Sequence, residues 1–328
     1  MLKIVLLGCG QIGSRHLQAL AMLEESAVID LVDSSAKSIE ISKSRFAEVL
    51  PKSAESRLRL EVRDLDNLQE NYDVAIIASG SNARADLTRK LLASSKVKTI
   101  LFEKFLFKQK DDYESIAALL ESSGTAAWVN QWVGSSYAFK RMQQWLQQDG
   151  HAPIDVTLNG KDWGLACNAV HFIDLFDRMN NLGPIELVSC DLNKKPMLSK
   201  RQGYFEIAGE IVYKSTSGGK LVMNSTADET DGLIHIDLKC NERQVKVVLS
   251  RSEILAEYYG EDQVRNESYA VPMQSTVTGK LIQEIQITGN CALPSFSRSS
   301  YHHLLLFSCL QPYFENISSE FAGVVPVT

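Results

Sequence analysis

Gly8-Cys9-Gly10-Gln11-Ile12-Gly13 (GCGQIG) lies directly after the apolar run Lys3–Leu7 and directly before a segment with helical spacing. GxGxxG also occurs in turns of other kinds. A strand before it and a helix after it make it the turn that receives a dinucleotide pyrophosphate. In that reading Gly8 permits the turn, Gly10 lets phosphate approach the backbone, and Gly13 lets the helix lie against the sheet. The amides around Gln11 and Ile12 then face the negative charge. Asp33 ends the next strand, where a carboxylate accepts hydrogen bonds from the adenosine ribose and repels a 2′-phosphate. The pattern favours NAD(H); Lys37, with Ser34 and Ser35, keeps NADP open.

Outward from this stretch, strand and helix patterns alternate. Helices are predicted at Gln11–Leu23, Ala36–Leu50, Ala83–Ala93 and Asp112–Glu121. Strands are predicted at Ala27–Val32, Leu58–Val62, Tyr72–Ala78, Thr99–Phe102 and Ala126–Val129. Such alternation implies right-handed crossovers and a doubly wound parallel sheet. Beyond residue 130 the rhythm changes to two helices, Ser136–Gln147 and Asn168–Met179, followed by a series of strands. These are Ile185–Cys190, Tyr204–Tyr213, Lys220–Ser225, Ile234–Lys239, Gln244–Ser250 and Ile254–Tyr259, with a closing helix Tyr301–Phe314. Alternating Ile234–Lys239 and the Ser217-Gly218-Gly219 turn point to a largely antiparallel open sheet. The expected class is α/β, with a dinucleotide-binding domain at 1–130 and an α+β substrate and oligomerisation domain at 131–328.

Composition narrows the partners. The chain has 328 residues, 45% hydrophobic and 23% charged, with a net charge of −6, the balance of a globular protein. That charge gives no long-range attraction to nucleic acid or an anionic membrane. No apolar run approaches the roughly 18 residues of a membrane span, and Ile4–Leu7 is far shorter than a signal-peptide core of roughly 7–15. The six cysteines, at 9, 167, 190, 240, 291 and 309, show neither CxxC pairs nor metal spacing. They read as reduced thiols in a cytoplasmic protein without a metal site.

Three further stretches carry chemistry. Ser79-Gly80-Ser81-Asn82 follows the strongest strand, so Ser79 falls at the carboxyl edge where doubly wound folds bind ligands. Glu103-Lys104 follows the next strand at the same edge. Downstream, Cys167, His171 and Asp174 share one helix face by the i, i+3 and i+4 rules. A histidine with a carboxylate one turn away is suited to taking a proton from an alcohol. Asn130, Trp132, Lys161, Trp163 and Asn168 flank these segments and suit a hydroxylated ring, with core packing the competing use of the tryptophans.

The chain resembles the glucose-fructose oxidoreductase / inositol dehydrogenase (Gfo/Idh/MocA) family. The likeness rests on GCGQIGSRHLQAL at the start, DVAIIASGSNARADL, LFEKFLF, VNQWVGSSYAFKRM and NAVHFIDL. It implies a Rossmann domain, a nicotinamide cofactor and a C-terminal sheet that joins subunits into a dimer or tetramer. It further implies that Lys104, after Glu103, sits by the nicotinamide and the reacting oxygen. By the same resemblance His171 exchanges the hydroxyl proton, Asp174 is the carboxylate beside it, and Ser79 touches the cofactor. Phe105 replaces the family's proline after Glu-Lys, Arg84 stands where histidine is common, and Cys167 replaces an aspartate four residues before His171. The implied activity is hydride transfer between NAD(P) and a secondary alcohol or ketone of a sugar, cyclitol or sugar nucleotide. Two readings compete with it: a catalytically silent dinucleotide-binding sensor or assembly subunit, and reduction of a non-sugar carbonyl or imine on the same fold.

Overall fold

The apolar opening forms β1 (Leu2–Leu7), and the glycine turn after it starts α1 (Gln11–Leu20). There follow β2 (Ala27–Val32), α2 (Ala36–Val49), β3 (Leu58–Val62), β4 (Asn71–Ile77), α3 (Ser81–Ser94), β5 (Lys96–Phe102), α4 (Asp111–Ser123) and β6 (Ala126–Val129). The chain continues with α5 (Trp132–Ser135), α6 (Tyr137–Leu146), β7 (Asp155–Lys161), α7 (Leu165–Met179), β8 (Ile185–Leu192), β9 (Met197–Leu198) and β10 (Phe205–Glu206). Then come β11 (Gly209–Ser215), β12 (Lys220–Thr226), β13 (Ile234–Cys240), β14 (Arg243–Leu249), β15 (Glu253–Gly260), β16 (Gln263–Ala270), α8 (Gln274–Thr288) and α9 (Phe296–Ile317). This computed structural model describes residues 1–260 and 263–328.

The chain divides into two compact units. One joins Met1–Asn130 with Pro272–Arg298, and the other joins Gln131–Val271 with Ser299–Thr328. A division at 130 alone places 272–298 with the C-terminal residues; in the structure this segment packs with the first 130. The reason is visible in α8. Gly279 lies so close to α1 that a Cβ there would come 2.8 Å from the Ala19 carbonyl oxygen, and Ile282 and Ile285 enter the same apolar cluster as Leu17 and Leu20.

The first unit holds a six-stranded sheet of order β3-β2-β1-β4-β5-β6, parallel throughout. The order reverses between β1 and β4, and the carboxyl ends of those strands carry Gly8 and Ser79. α1 stops at Leu20 rather than Leu23. Ala21 and Met22 turn their amides back to the carbonyls three residues earlier, which tightens the helix end.

The second unit holds an eight-stranded sheet, β16-β15-β14-β13-β7-β12-β11-β8, antiparallel except for the β7–β12 pair, and a small β9–β10 ladder. The run expected as one strand over Tyr204–Tyr213 is two, β10 and β11. Inward residues such as Leu158, Ile211, Met223, Ile236 and Val247 are buried, while Thr157, Asp237 and Lys246 lie on the opposite face. Cys190 of β8 and Cys309 of α9 form a disulfide, which corrects the reading of all six cysteines as thiols. Spacing could not reveal a pair separated by 119 residues. Thiol titration in denaturant without reductant should count the four others, Cys9, Cys167, Cys240 and Cys291, and should reach six only after reduction. Six without reductant would exclude the bridge.

Candidate active site

In the first unit the fingerprint glycines are set by sterics. Gly8 has φ +96°, and a Cβ on it would come 2.8 Å from the Ser79 amide nitrogen. A Cβ on Gly13 would overlap the Gly8 carbonyl oxygen and lie 2.9 Å from its carbon, so the helix can meet the turn only as glycine. Gly10, the N-cap of α1, has nothing within 4 Å of a Cβ position and is exposed. No side chain caps this helix end, and its first turn carries no acidic residue. Backbone donors with open space above them suit a pyrophosphate.

Asp33 holds the turn. Its Oδ2 accepts from the Cys9 amide at 2.7 Å and its Oδ1 from the Ser35 amide at 2.8 Å. Cys9 is buried, and burial followed by the Asp33 charge pushes its thiol up to about 12, so it is no nucleophile. Gln11 receives Arg45 at 3.0 Å on its side-chain oxygen, and Ile12 packs against the core cluster. Ser79 Oγ is buried and finds no hydrogen-bond partner among the described residues, a hydroxyl that a ligand can satisfy.

Glu103 is 5% exposed and His16 3%. His16 Nε2 donates to Glu103 Oε1 at 2.8 Å, and Asn130 Nδ2 donates to the same oxygen at 2.5 Å. Burial by itself raises the Glu103 carboxyl, but the His16 bond and charge, the Asn130 bond and the nearby Lys104 charge outweigh it and leave it below its ordinary 4.5. A folded value below the unfolded one means that ionised Glu103 stabilises the fold above the unfolded value, and that this contribution is lost as pH falls through the folded value. Glu103→Gln should therefore be less stable than wild type at neutral pH and lose less stability on acidification to about pH 3. Parallel acid melting curves for the two proteins would contradict this.

Lys104 is partly exposed beside Glu103, and its peptide to Phe105 is cis. Arg84, 1% exposed, donates to the carbonyl oxygens of Phe105, Leu106 (2.9 Å) and Ser79. Two departures from the family pattern, Arg84 and Phe105, are thus bonded to each other. Asn130, expected at the substrate, is 7% exposed and also donates to Gln274 Oε1 at 2.6 Å.

In the second unit α7 begins at Leu165, earlier than Asn168. Gly164 precedes it in the left-handed region (φ +77°), and Glu206 of β10 accepts from the Ala166 amide at 3.0 Å. Such a carboxylate at a helix start is favoured by the free amides and the dipole. His171 is 6% exposed, its ring centroid 6.2 Å from that of Trp132. Trp163 is buried, donates to the Asn224 carbonyl at 2.9 Å and meets Phe172 edge to face. Asn168 donates to the Trp163 carbonyl at 2.9 Å, and the Cys167 thiol lies 3.5 Å from the Gly164 oxygen. Lys161 is exposed at the end of β7.

Asp174 is fully buried. Both its oxygens accept from Arg178 Nε, at 3.0 and 2.9 Å, and Oδ1 lies 4.0 Å from His302 Nδ1. His302 Nε2 bonds Asp177 at 2.8 Å. Burial raises the Asp174 carboxyl more than Arg178 and His302 lower it. Arg178, one turn on from Asp174, holds this carboxylate by both oxygens. His16, Gln274, Thr278, Glu206 and His302 escaped the sequence reading; only His16, just past the fingerprint on the same helix, had a local signal.

No curated protein is matched by the sequence. Solved structures share the fold over nearly the full length. UDP-N-acetylglucosamine 3-dehydrogenase GnnA from Acidithiobacillus ferrooxidans superposes with TM-score 0.66 at 12% identity, covering 94% of this chain and 96% of that one. A 3-ketoreductase from Actinomadura kijaniata, in complex with TDP-benzene and NADP, gives 0.69 at 12%, covering 94% and 96%. A super-repressor mutant of Gal80p from Saccharomyces cerevisiae gives 0.69 at 14%, covering 98% and 99%. At these identities the likeness is one of fold. The model of the Gfo/Idh/MocA oxidoreductase family, described as having an NAD-binding Rossmann fold, matches residues 2–131, the stretch that carries the fingerprint and the parallel sheet.

Proposed function

We propose that the protein is an NAD(P)-dependent dehydrogenase or reductase acting on a secondary alcohol or ketone of a sugar, cyclitol or sugar nucleotide. The observation that carries this reading is the open amide cradle at Gly10, on the same sheet edge as a Lys104 whose neighbour Glu103 is fixed by buried hydrogen bonds. Nicotinamide, when bound, supplies the hydride acceptor or donor. Gly8, Gly10, Gly13 and the first amides of α1 hold the pyrophosphate, Asp33 the ribose, and Ser79 the cofactor near the β4 end. Lys104 stabilises the alkoxide electrostatically, and His171 takes or returns the hydroxyl proton. Asn168 and Trp163 contribute to substrate binding through the wall they build at the start of α7. The likeness to a UDP-N-acetylglucosamine 3-dehydrogenase and to a 3-ketoreductase favours carbohydrate substrates.

Stereospecific deuterium transfer from 4-labelled NADH to one member of a panel of keto-sugars and sugar nucleotides is the expected result. Bound NADH without transfer across the panel favours the second reading, a silent dinucleotide-binding protein. That reading draws on Cys167, which replaces the family's aspartate, and on Asp174 being bound to Arg178. Assembly through the open face of the eight-stranded sheet belongs to the proposal, and a monomer in sedimentation equilibrium would exclude it.

A further inference from the structure

Four elements of the first unit send polar side chains to one buried point. His16 from α1 bonds Glu103 at the end of β5, while its Nδ1 lies 2.9 Å from Thr278 Oγ1 and 3.1 Å from Gln274 Nε2, both on α8. Gln274 also reaches Thr278 at 2.5 Å, and Asn130, after β6, bonds both Glu103 and Gln274. A pair of apolar side chains would fill this volume at no desolvation cost, so packing gives no reason for five converging polar groups. What the network fixes is the residue next to it. Lys104 has Glu103 anchored before it and the Phe105 and Leu106 carbonyls held by Arg84 after it, so its backbone is restrained from both sides.

From this we infer that His16 is a positioning residue: set by Gln274 and Thr278, it fixes Glu103 and thereby the placement of the Lys104 ammonium. The inference rests on the role proposed above for Lys104, and it gives α8 a function in a site far from it in sequence. A preorganised charge stabilises a developing alkoxide without reorganising at the moment of reaction.

The test compares full-length His16→Leu and His16→Gln with wild type. Lys104 is labelled with pyridoxal 5′-phosphate, trapped with borohydride and counted by peptide mass, with exposed Lys37 as internal reference; the melting temperature is recorded in parallel. His16→Leu should label Lys104 about tenfold faster relative to Lys37, the scale of a lost buried hydrogen bond to a charged group. His16→Gln, whose amide can still donate to Glu103, should return the rate to that of wild type. A lowered melting temperature with unchanged Lys104 labelling overturns the inference, as does a Gln variant that labels like Leu. If His16→Leu does not fold, Gln274→Ala carries the same labelling expectation. Lys104→Ala with undiminished hydride transfer would instead overturn the proposed chemistry, and leave the labelling result standing.

Discussion

Gly13→Ala should lose NADH binding almost completely, with affinity falling by roughly a hundredfold, equivalent to about 2.7 kcal/mol. The added methyl would overlap the carbonyl oxygen of Gly8, and both partners are backbone, so no side chain can swing away. Either α1 must retreat from the sheet or the Gly8 turn must open. Each displaces the amides that face the pyrophosphate. The fold should lose stability near the upper end of the about 1–3 kcal/mol that overpacking costs, because α1 also forms the contact with α8. Gly10→Ala supplies the contrast, since a Cβ there meets nothing in the protein; any loss of affinity in that variant comes from crowding the ligand alone. Fluorescence titration with NADH and thermal melting separate the two. Equal affinities for Gly13→Ala and wild type would remove the fingerprint from the binding site.

His171→Ala should lower kcat by about 10²–10⁴-fold on a substrate identified by deuterium transfer, the usual contribution of a positioned general base. NADH affinity should change little by comparison, because the fingerprint amides and glycines lie on α1 and the turn before it. Single-turnover rates measure the chemical step directly. Turnover equal to wild type would sink the assignment of His171 as the base.

Much of the first unit was legible because its signals are local. The strand, the three glycines and the helix of residues 3–20 occupy one stretch, and β1, β2 and β4 announce themselves as short, mostly apolar runs. The second unit was harder. β7 has only Val156 and Leu158 as inward apolar residues among polar neighbours, and β16 (QVRNESYA) is a polar edge strand whose pairing, with β15, lies on one side only. α8 is the most instructive miss. Its Thr, Val, Ile and internal Gly279 argue against a helix by propensity, and packing against α1 overrides them. At the site, residue types at Lys104 and His171 could be proposed from the chain, whereas the commitments of Asp174 to Arg178 and of Asn130 to Glu103 and Gln274 depend on neighbours brought in by folding. The same holds for the Cys190–Cys309 bridge, which also removes the premise on which a reducing compartment was inferred.

The return of residues 272–298 to the first unit bears on how the protein is made. Synthesis proceeds from the N-terminus, and domains commonly fold as they emerge. A nascent chain released only as far as Asn130 has all six strands of the parallel sheet, yet the side of α1 that Gly279 and Ile282 cover is bare, and His16 lacks Gln274 and Thr278. The cofactor unit is begun first and finished only after every strand of the other sheet has been translated. During that interval its unfinished apolar seam is what a chaperone would meet, and a ribosome stalled before residue 274 would leave a chain with the fingerprint in place but His16 without Gln274 and Thr278.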